Sequence, residues 1–287
     1  MAASPRVTGI IIVYNGEAYL DEAIASVQAQ GFSDWELLVV DDGSTDSSRE
    51  IARRNAAEDK RIRLLEHTDR RNHGMSAARN LGLSQARGEF VGFLDADDIW
   101  MPDKLAEQVA ALDRDPEAAM VYGRTLIWHG GEGDARDFFY DLGITANRTH
   151  APPLLFRNLL LNVYQTPTTC NALMRRAAIE AVGGFEASFK AMFEDQIFFA
   201  KMLLTFPTFV SDRIWAKYRQ HDLSSSAVSS ATKGDEAEHL RYLLWLRDWL
   251  ARQPRVALAD RLAVEKMAMR LRARLVARRL KRRVLRR

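Results

Sequence analysis

Residues 6–113 read as four rounds of strand followed by helix, which predicts an α/β protein whose parallel sheet carries helices on both faces. Three observations carry that prediction. Short, apolar, β-branched runs recur at close spacing. The segments between them have helical composition or helical apolar spacing. Polar groups gather where the runs stop, at Tyr14-Asn15, at Asp41-Asp42 and at Asp95 to Asp98. Ligands of open α/β sheets sit at the carboxyl ends of strands, so the same pattern places a site there.

The elements follow in order. Residues 6–13 (RVTGIIIV) are a buried strand. Residues 17–29 are helical, with Leu20, Ile24 and Val27 on one face. Residues 35–40 (WELLVV) form the second strand, and Ser44-Thr45-Asp46 supplies an N-cap for a helix to about residue 57. Residues 62–65 (IRLL) are the third strand, followed by an Ala-rich helix over 75–86. Residues 89–94 (EFVGFL) are the fourth, Pro102 opens a helix to about 113, and 119–127 is a further strand. Residues 128–151 are loop-rich, with Gly130, Gly131, Gly133 and Gly143. A helix over 153–163, a strand over 170–174, a short helix, an amphipathic helix over 195–204 and a strand over 208–218 complete the body. Residues 223–232 are a small polar loop. From about 235 the pattern is helical, broken near Pro254, and no internal repeat is visible.

Composition bounds the class. The 287 residues are 47% hydrophobic and 28% charged, ordinary globular values that exclude collagen-like and disordered chains. The lone cysteine, Cys170, forbids an internal disulfide and a multi-cysteine zinc site. The run Ile10 to Val13 is too short for a signal peptide core, and no window of about 18 apolar residues exists. A soluble cytoplasmic protein is the expectation. The net charge of +3 conceals an asymmetry: residues 270–287 hold nine Arg, one Lys and no acid, leaving 31 bases against 38 acids before them. The body carries −7 and the tail +10, so the body does not resemble a nucleic-acid surface.

The chemistry-bearing residues come next. Asp95, Asp97 and Asp98 repel one another at a strand end, and oxygen ligands of this kind suit Mg²⁺ or Mn²⁺ shared with substrate phosphates. A solvated loop whose last Asp caps the next helix reads the same way. An acid at the end of strand two, Asp41 or Asp42, can accept from a base or ribose, or simply shape a turn. Neither Gly-x-Gly-x-x-Gly nor a P-loop motif occurs, which counts against dinucleotide dehydrogenases and P-loop enzymes. In Asn72 to Asn80, backbone N–H groups and Arg79 could face a diphosphate or a sugar hydroxyl; the plain alternative is a Gly74 cap with a solvated Arg79.

At this point the residues resemble family 2 glycosyltransferases. Gly9 to Asp46 resembles their nucleotide-binding start, and Phe93 to Leu105 (FLDADDIWMPDKL) resembles their Asp-x-Asp segment. Gly183-Gly184-Phe185, Glu194-Asp195 and Tyr218-Arg219-Gln220-His221 extend the resemblance over about residues 6–226. It implies a type A glycosyltransferase fold: a Rossmann-like, mostly parallel central sheet flanked by helices, with a helical C-terminal extension. The transferase domain would be 1–232, with a nucleotide-sugar half at about 6–127 and an acceptor half at about 128–232, and the extension 233–287.

The resemblance further implies roles. Tyr14 packs against the base, Asp42 accepts from it, and Ile12 and Asn15 complete the pocket. Arg79 approaches the donor sugar or phosphates, and Asp95 binds ribose or sugar and helps hold the metal. Asp97 binds an Mn²⁺ or Mg²⁺ that bridges the diphosphate, and His221 is a second candidate ligand. Asp195 is the general base of an inverting transfer. It opens helix 195–204, where the dipole favours the ionised carboxylate; an ordinary N-cap is the alternative. Ser224 to Ser226 stand where the family often has a flexible lid. The Gln-x-x-Arg-Trp of processive synthases is replaced by Arg219-Gln220-His221, which favours one sugar per acceptor. Trp128, Phe138, Phe139, Tyr140 and Tyr164 can stack on sugars or serve as core.

The expected partners are a nucleotide-sugar donor, UDP- or dTDP-linked by family tendency, and a glycan or lipid-linked acceptor in cell-surface polysaccharide or glycoconjugate synthesis. The basic tail adds a candidate site for peripheral contact with anionic lipid at the inner face of the plasma membrane; nonspecific nucleic-acid binding, or packing on an acidic patch of its own body or a partner, are the alternatives, and no specific nucleic-acid partner is expected. Within it, Val264, Met267, Leu271 and Leu275 share one face while Leu280 and Val284 fall elsewhere. A nucleotidyltransferase and a catalytically silent sugar-nucleotide binder are the competing readings. The first lacks its Gly-rich basic loop at Val13 to Glu17, and the second is disfavoured because Asp97 and Asp195 are both present.

Overall fold

The computed structural model describes residues 4–131, 133–190, 192–222, 235–254 and 256–284. The chain divides into two compact units, Met1–Gln220 and His221–Arg287.

The first unit is built on one nine-stranded sheet. Its leading half is parallel: β1 (Val7–Val13) lies between β2 (Trp35–Asp41) and β4 (Phe90–Asp95), and β3 (Ile62–Glu66) pairs with the outer side of β2. Every residue of β1 and β2 is buried, as strands covered on both faces require. The crossovers are α1 (Leu20–Gln28), α2 (Ser48–Glu58) and α3 (Met75–Gln85). Leu20, Ile24 and Val27 of α1 do face the core.

The trailing half departs from the expected parallel order. After β5 (Ile99–Trp100), α4 (Lys104–Arg114) and β6 (Met120–Trp128) come β7 (Arg148–His150), α5 (Leu154–Leu161), β8 (Leu173–Arg175), α6 (Arg176–Ala181), α7 (Glu194–Thr205) and β9 (Thr208–Arg219). β8 is inserted antiparallel between β4 and β6, and β9 runs parallel to β6. β5 and β7 both pair antiparallel with β9. Both are two or three residues long and lack the alternation that would have announced them. The sheet is therefore mixed. Because β8 reverses twice, β4, β6 and β9 all end on the same edge.

Trp100 explains the glycines of the central strands. Its indole is fully buried, and a Cβ on Gly92 would lie 3.1 Å from it and one on Gly9 3.4 Å. Missing side chains on neighbouring strands let the ring lie flat on the sheet. Pro102 does not open α4: the helix begins at Lys104, two residues later.

The second unit contains α8 (Asp235–Ala251) and α9 (Leu258–Val284), which pack on one another. Tyr242, Leu243, Leu246 and Leu250 of α8 are buried, as are Val264, Ala268 and Leu271 of α9. Residues 223–232, read as a loop and carrying Ser224 to Ser226, lie outside the described residues. Among the described residues, no helix is long and apolar enough to cross a membrane.

Candidate active site

The parallel register sets three chain ends side by side: Val13 opposite Asp41, and Ile12 opposite Asp95. Ile12 is buried, while Tyr14 beyond it is 53% exposed. Asn15 takes a left-handed conformation, φ 52°. Its backbone N–H donates to Ser44 Oγ (3.0 Å), and its Oδ1 accepts from Thr45 N–H (2.8 Å). Gly16 N–H donates to Ser48 Oγ, and Glu17 N–H to Asp46. The stretch Ser44 to Asp46 thus ties the loops after β1 and β2 together. It does not form the simple N-cap expected there: the cap position is Ser47, with no side-chain cap bond.

Asp42 is buried, and both of its oxygens are in use. Oδ1 accepts from His73 N–H (2.9 Å) and Oδ2 from Gly74 N–H (2.8 Å). These two N–H groups therefore point at Asp42, and the idea that they face a diphosphate is corrected. A carboxylate has about four acceptor positions, so Asp42 retains capacity for a base. Gly74 has φ 93°, and a Cβ there would lie 2.8 Å from the Lys190 carbonyl oxygen. Gly74→Ala is expected to lower stability by about 1–3 kcal/mol, read as a shift in the urea midpoint. An unchanged midpoint would show that this turn yields freely.

The centre of the site is a buried guanidinium. Arg79 is 1% exposed. Its Nη2 donates to Asp95 Oδ1 (2.7 Å) and its Nη1 to Glu194 Oε1 (2.9 Å). Phe185 packs beneath it, 5.2 Å from ring centroid to guanidinium carbon. Burial alone would lower the Arg79 pKa, but the charges of Asp95 and Glu194 more than offset it and hold it above its ordinary value. The solvated Arg79 of the plain reading is excluded. Beside it, Asn80 exchanges two hydrogen bonds with the Phe185 backbone, both 2.9 Å. The Arg79-Asn80 and Gly183-Gly184-Phe185 motifs, read separately in the sequence, are one contact.

Asp95 Oδ2 accepts from Thr169 Oγ1 (2.8 Å), because the chain leading into the antiparallel β8 passes the end of β4. Arg219, at the end of β9, donates through Nε to the Asp97 carbonyl (2.8 Å) and through its backbone N–H to Asp98 Oδ1 (3.0 Å). Its guanidinium lies between the rings of Trp128 and Tyr19. Thr169 and Arg219 were missed as site residues; only the position of Arg219 in Tyr-Arg-Gln-His pointed to it. Asp98 is fully enclosed, and burial, then Asp97 and Asp95, push its carboxyl well above the usual range. Of the three acids, Asp95 and Asp97 are half-buried and Asp98 is buried.

Asp195 stands one residue past Glu194, on the first turn of α7, which begins at Glu194. The cap position is Phe193, in the left-handed region with φ 62°, so Asp195 is not the N-cap. Burial, then the Glu194 charge, push it up to about 7, against the pull of Arg79. The dipole argument for a fully ionised carboxylate thus loses to desolvation and the Glu194 charge. His221 belongs to the second unit, whereas the carboxylates belong to the first.

Among the described residues no group of three or more His, Cys, Asp or Glu could cage a metal ion. The donor chemistry present fits another arrangement, in which a hard cation takes one or two carboxylates and completes its shell with phosphate oxygens and water. Asp95 and Asp97 are the half-buried carboxylates at the end of β4 with oxygens of that kind.

Comparison with known proteins accords with this geometry. Residues 8–183 match the sequence profile of glycosyl transferase family 2. The uncharacterized glycosyltransferase alr2836 of Nostoc sp. is 34% identical over 185 residues, 62% of this chain and 53% of that protein. The chain spans about half the length of the curated relatives it matches. S. aureus TarS 1–349, in complex with UDP-GlcNAc, superposes with a TM-score of 0.70 at 20% identity, over 90% of this chain and 70% of that one. The mannosyltransferase PcManGT from Pyrobaculum calidifontis, in complex with GDP-Man and Mn²⁺, gives 0.62 at 20% identity, over 93% and 70%. These structures share the type A glycosyltransferase fold, and the profile match over most of the first unit shows that the chain belongs to glycosyl transferase family 2.

Proposed function

We propose that the chain transfers one sugar from a UDP- or dTDP-sugar to an acceptor hydroxyl with inversion, in cell-surface polysaccharide or glycoconjugate synthesis. The observation that carries this reading is the Asp95–Arg79–Glu194 bridge, which ties the donor-side strand end to the helix bearing Asp195. Asp195 takes the proton of the acceptor hydroxyl as its oxygen attacks the anomeric carbon. The bond from that carbon to the diphosphate breaks, and the nucleoside diphosphate leaves with the electron pair. A divalent cation, Mn²⁺ or Mg²⁺, would stabilise the charge on the diphosphate as a Lewis acid, with Asp97 as its protein ligand.

Tyr14, exposed at the end of β1, offers a face to the base, with Ile12, Asn15 and Asp42 around it. Asp95 meets the ribose or sugar, and Arg79 holds Asp95 in place. That PcManGT is complexed with GDP-Man and Mn²⁺, and TarS with UDP-GlcNAc, supports a nucleotide-sugar donor and a metal here. TuaG of Bacillus subtilis, 39% identical over 127 residues, is provisionally named for teichuronic acid biosynthesis, which supports a surface-polymer acceptor. The expected place of work is the cytoplasmic side of the plasma membrane, with peripheral contact through residues 270–287.

Isothermal titration of UDP, dTDP and GDP, with and without Mn²⁺, tests the donor site. One nucleotide is expected to bind with metal, and Asp97→Ala to lose that binding. The same titration on His221→Ala tests the second ligand. Failure of every nucleotide to bind under any condition would overturn the reading.

A further inference from the structure

The sequence of α9 carries apolar residues on inconsistent faces, and the structure separates them into two. Val264, Ala268 and Leu271 are buried in the pair with α8. Leu258, Leu262, Met269 and Val276 are 69%, 57%, 56% and 48% exposed. At about 100° per residue the exposed set centres about 130° away from the buried one, roughly a third of a turn. One helix therefore has two apolar faces, and packing within the unit uses one. The second extends about 27 Å along the axis, from the 1.5 Å rise per residue.

Lys266 flanks this stripe on one side and Arg272, next to Glu265, on the other, while Arg270 and Arg274 lie farther round the helix. Lys266, Arg270, Arg272 and Arg274 are exposed, and none of them forms an ion pair among the described residues. From Lys266 to Arg287 the sequence contains no acid. An apolar stripe flanked by cations is the pattern of a helix lying in a membrane interface, with its apolar face among acyl chains and its cations at anionic headgroups. A second copy of the helix is a poorer occupant. Leu262, Met269 and Val276 recur every seven residues, but a coiled-coil seam also needs a row of apolar residues three or four positions after them. Three on stand Glu265, Arg272 and Arg279 and four on stand Lys266, Ala273 and Leu280, so neither row is continuously apolar, and the excess of cations would make two copies repel each other.

We propose that this outer face of α9 is a docking surface for an anionic lipid bilayer, with Leu258, Leu262, Met269 and Val276 as the inserted stripe. The inference extends the peripheral contact proposed above from residues 270–287 to the stripe beginning at Leu258, and it stands on exposure and charge independently of the donor chemistry.

The test is co-sedimentation of the full chain with phosphatidylcholine vesicles, with and without phosphatidylglycerol. Binding is expected only with phosphatidylglycerol. A triple variant, Arg270→Ser with Arg272→Ser and Arg274→Ser, is expected to lose about a hundredfold in partition, about fivefold per charge. Leu262→Ser with Met269→Ser, both at exposed positions, is expected to lose about tenfold. Binding unchanged in either variant, or equal on neutral vesicles, would overturn the proposal. So would capture of duplex DNA in place of vesicles, or a dimer in light scattering that the Leu262/Met269 variant dissolves. Nucleotide titration on the same proteins reads the donor site separately, so its failure would sink the transferase reading and leave the vesicle result standing.

Discussion

Replacing Asp195 by Asn is expected to lower kcat by about 10³-fold while nucleotide affinity stays at the wild-type value. The amide keeps the shape of the side chain and removes its capacity to take a proton. The wild-type pH profile supplies a second reading. Burial and Glu194 push Asp195 up to about 7, so the active, ionised form accumulates only as pH rises through that value. kcat/KM should climb about tenfold per unit below pH 7 and level off above it. Stability moves the other way. A carboxyl whose folded pKa lies above the unfolded 3.8 contributes stability that is fully present below 3.8 and is lost as pH rises through about 7. Asp195→Asn should therefore unfold at an equal or higher urea concentration than wild type at pH 8. A variant both inactive and less stable at pH 8 would mark Asp195 as structural. An Asn variant that keeps full activity would remove it from catalysis.

Arg79→Met is expected to cost about 3–5 kcal/mol of stability, because it leaves Asp95 and Glu194 without the buried cation between them. The measurement is urea unfolding at pH 7.5 in the absence of ligand. Arg79→Lys should recover only part of the loss, since an ammonium cannot present the two-pronged fork that meets both carboxylates. Removing the guanidinium also removes its pull on Asp195, so the acid limb of the activity profile should shift to higher pH. That shift separates a positioning role from packing alone. An Arg79→Met protein with wild-type midpoint and profile would show that the bridge is not formed in solution.

Much of the donor half is legible in the amino-acid sequence. The strands over 7–13, 35–41, 62–66 and 90–95 lie within one residue of the expected ends, since β-branched apolar runs bounded by polar residues are local signals. The acids at the strand ends are legible for the same reason, because parallel strands deliver their last residues to one edge. The later strands are not. β5 and β7 are too short to carry a period, and the reversed β8 depends on what the rest of the sheet leaves open to it.

Residue type and near spacing were enough to settle the α/β class, the order of the motifs and the identity of the acids, because the chain carries those properties wherever it folds. The chemistry of the acids came from the tertiary arrangement. Arg79 and Glu194 are 115 positions apart, and no local pattern says that they share a bond. Asp42 turned out to accept from the backbone of His73 and Gly74, and Asp195 to be pushed up by desolvation and Glu194 rather than held ionised by its helix. The physical reason is common to all three. Burial and charge pairing depend on which elements surround a group, and in this protein those elements lie 31 to 115 positions apart in the chain.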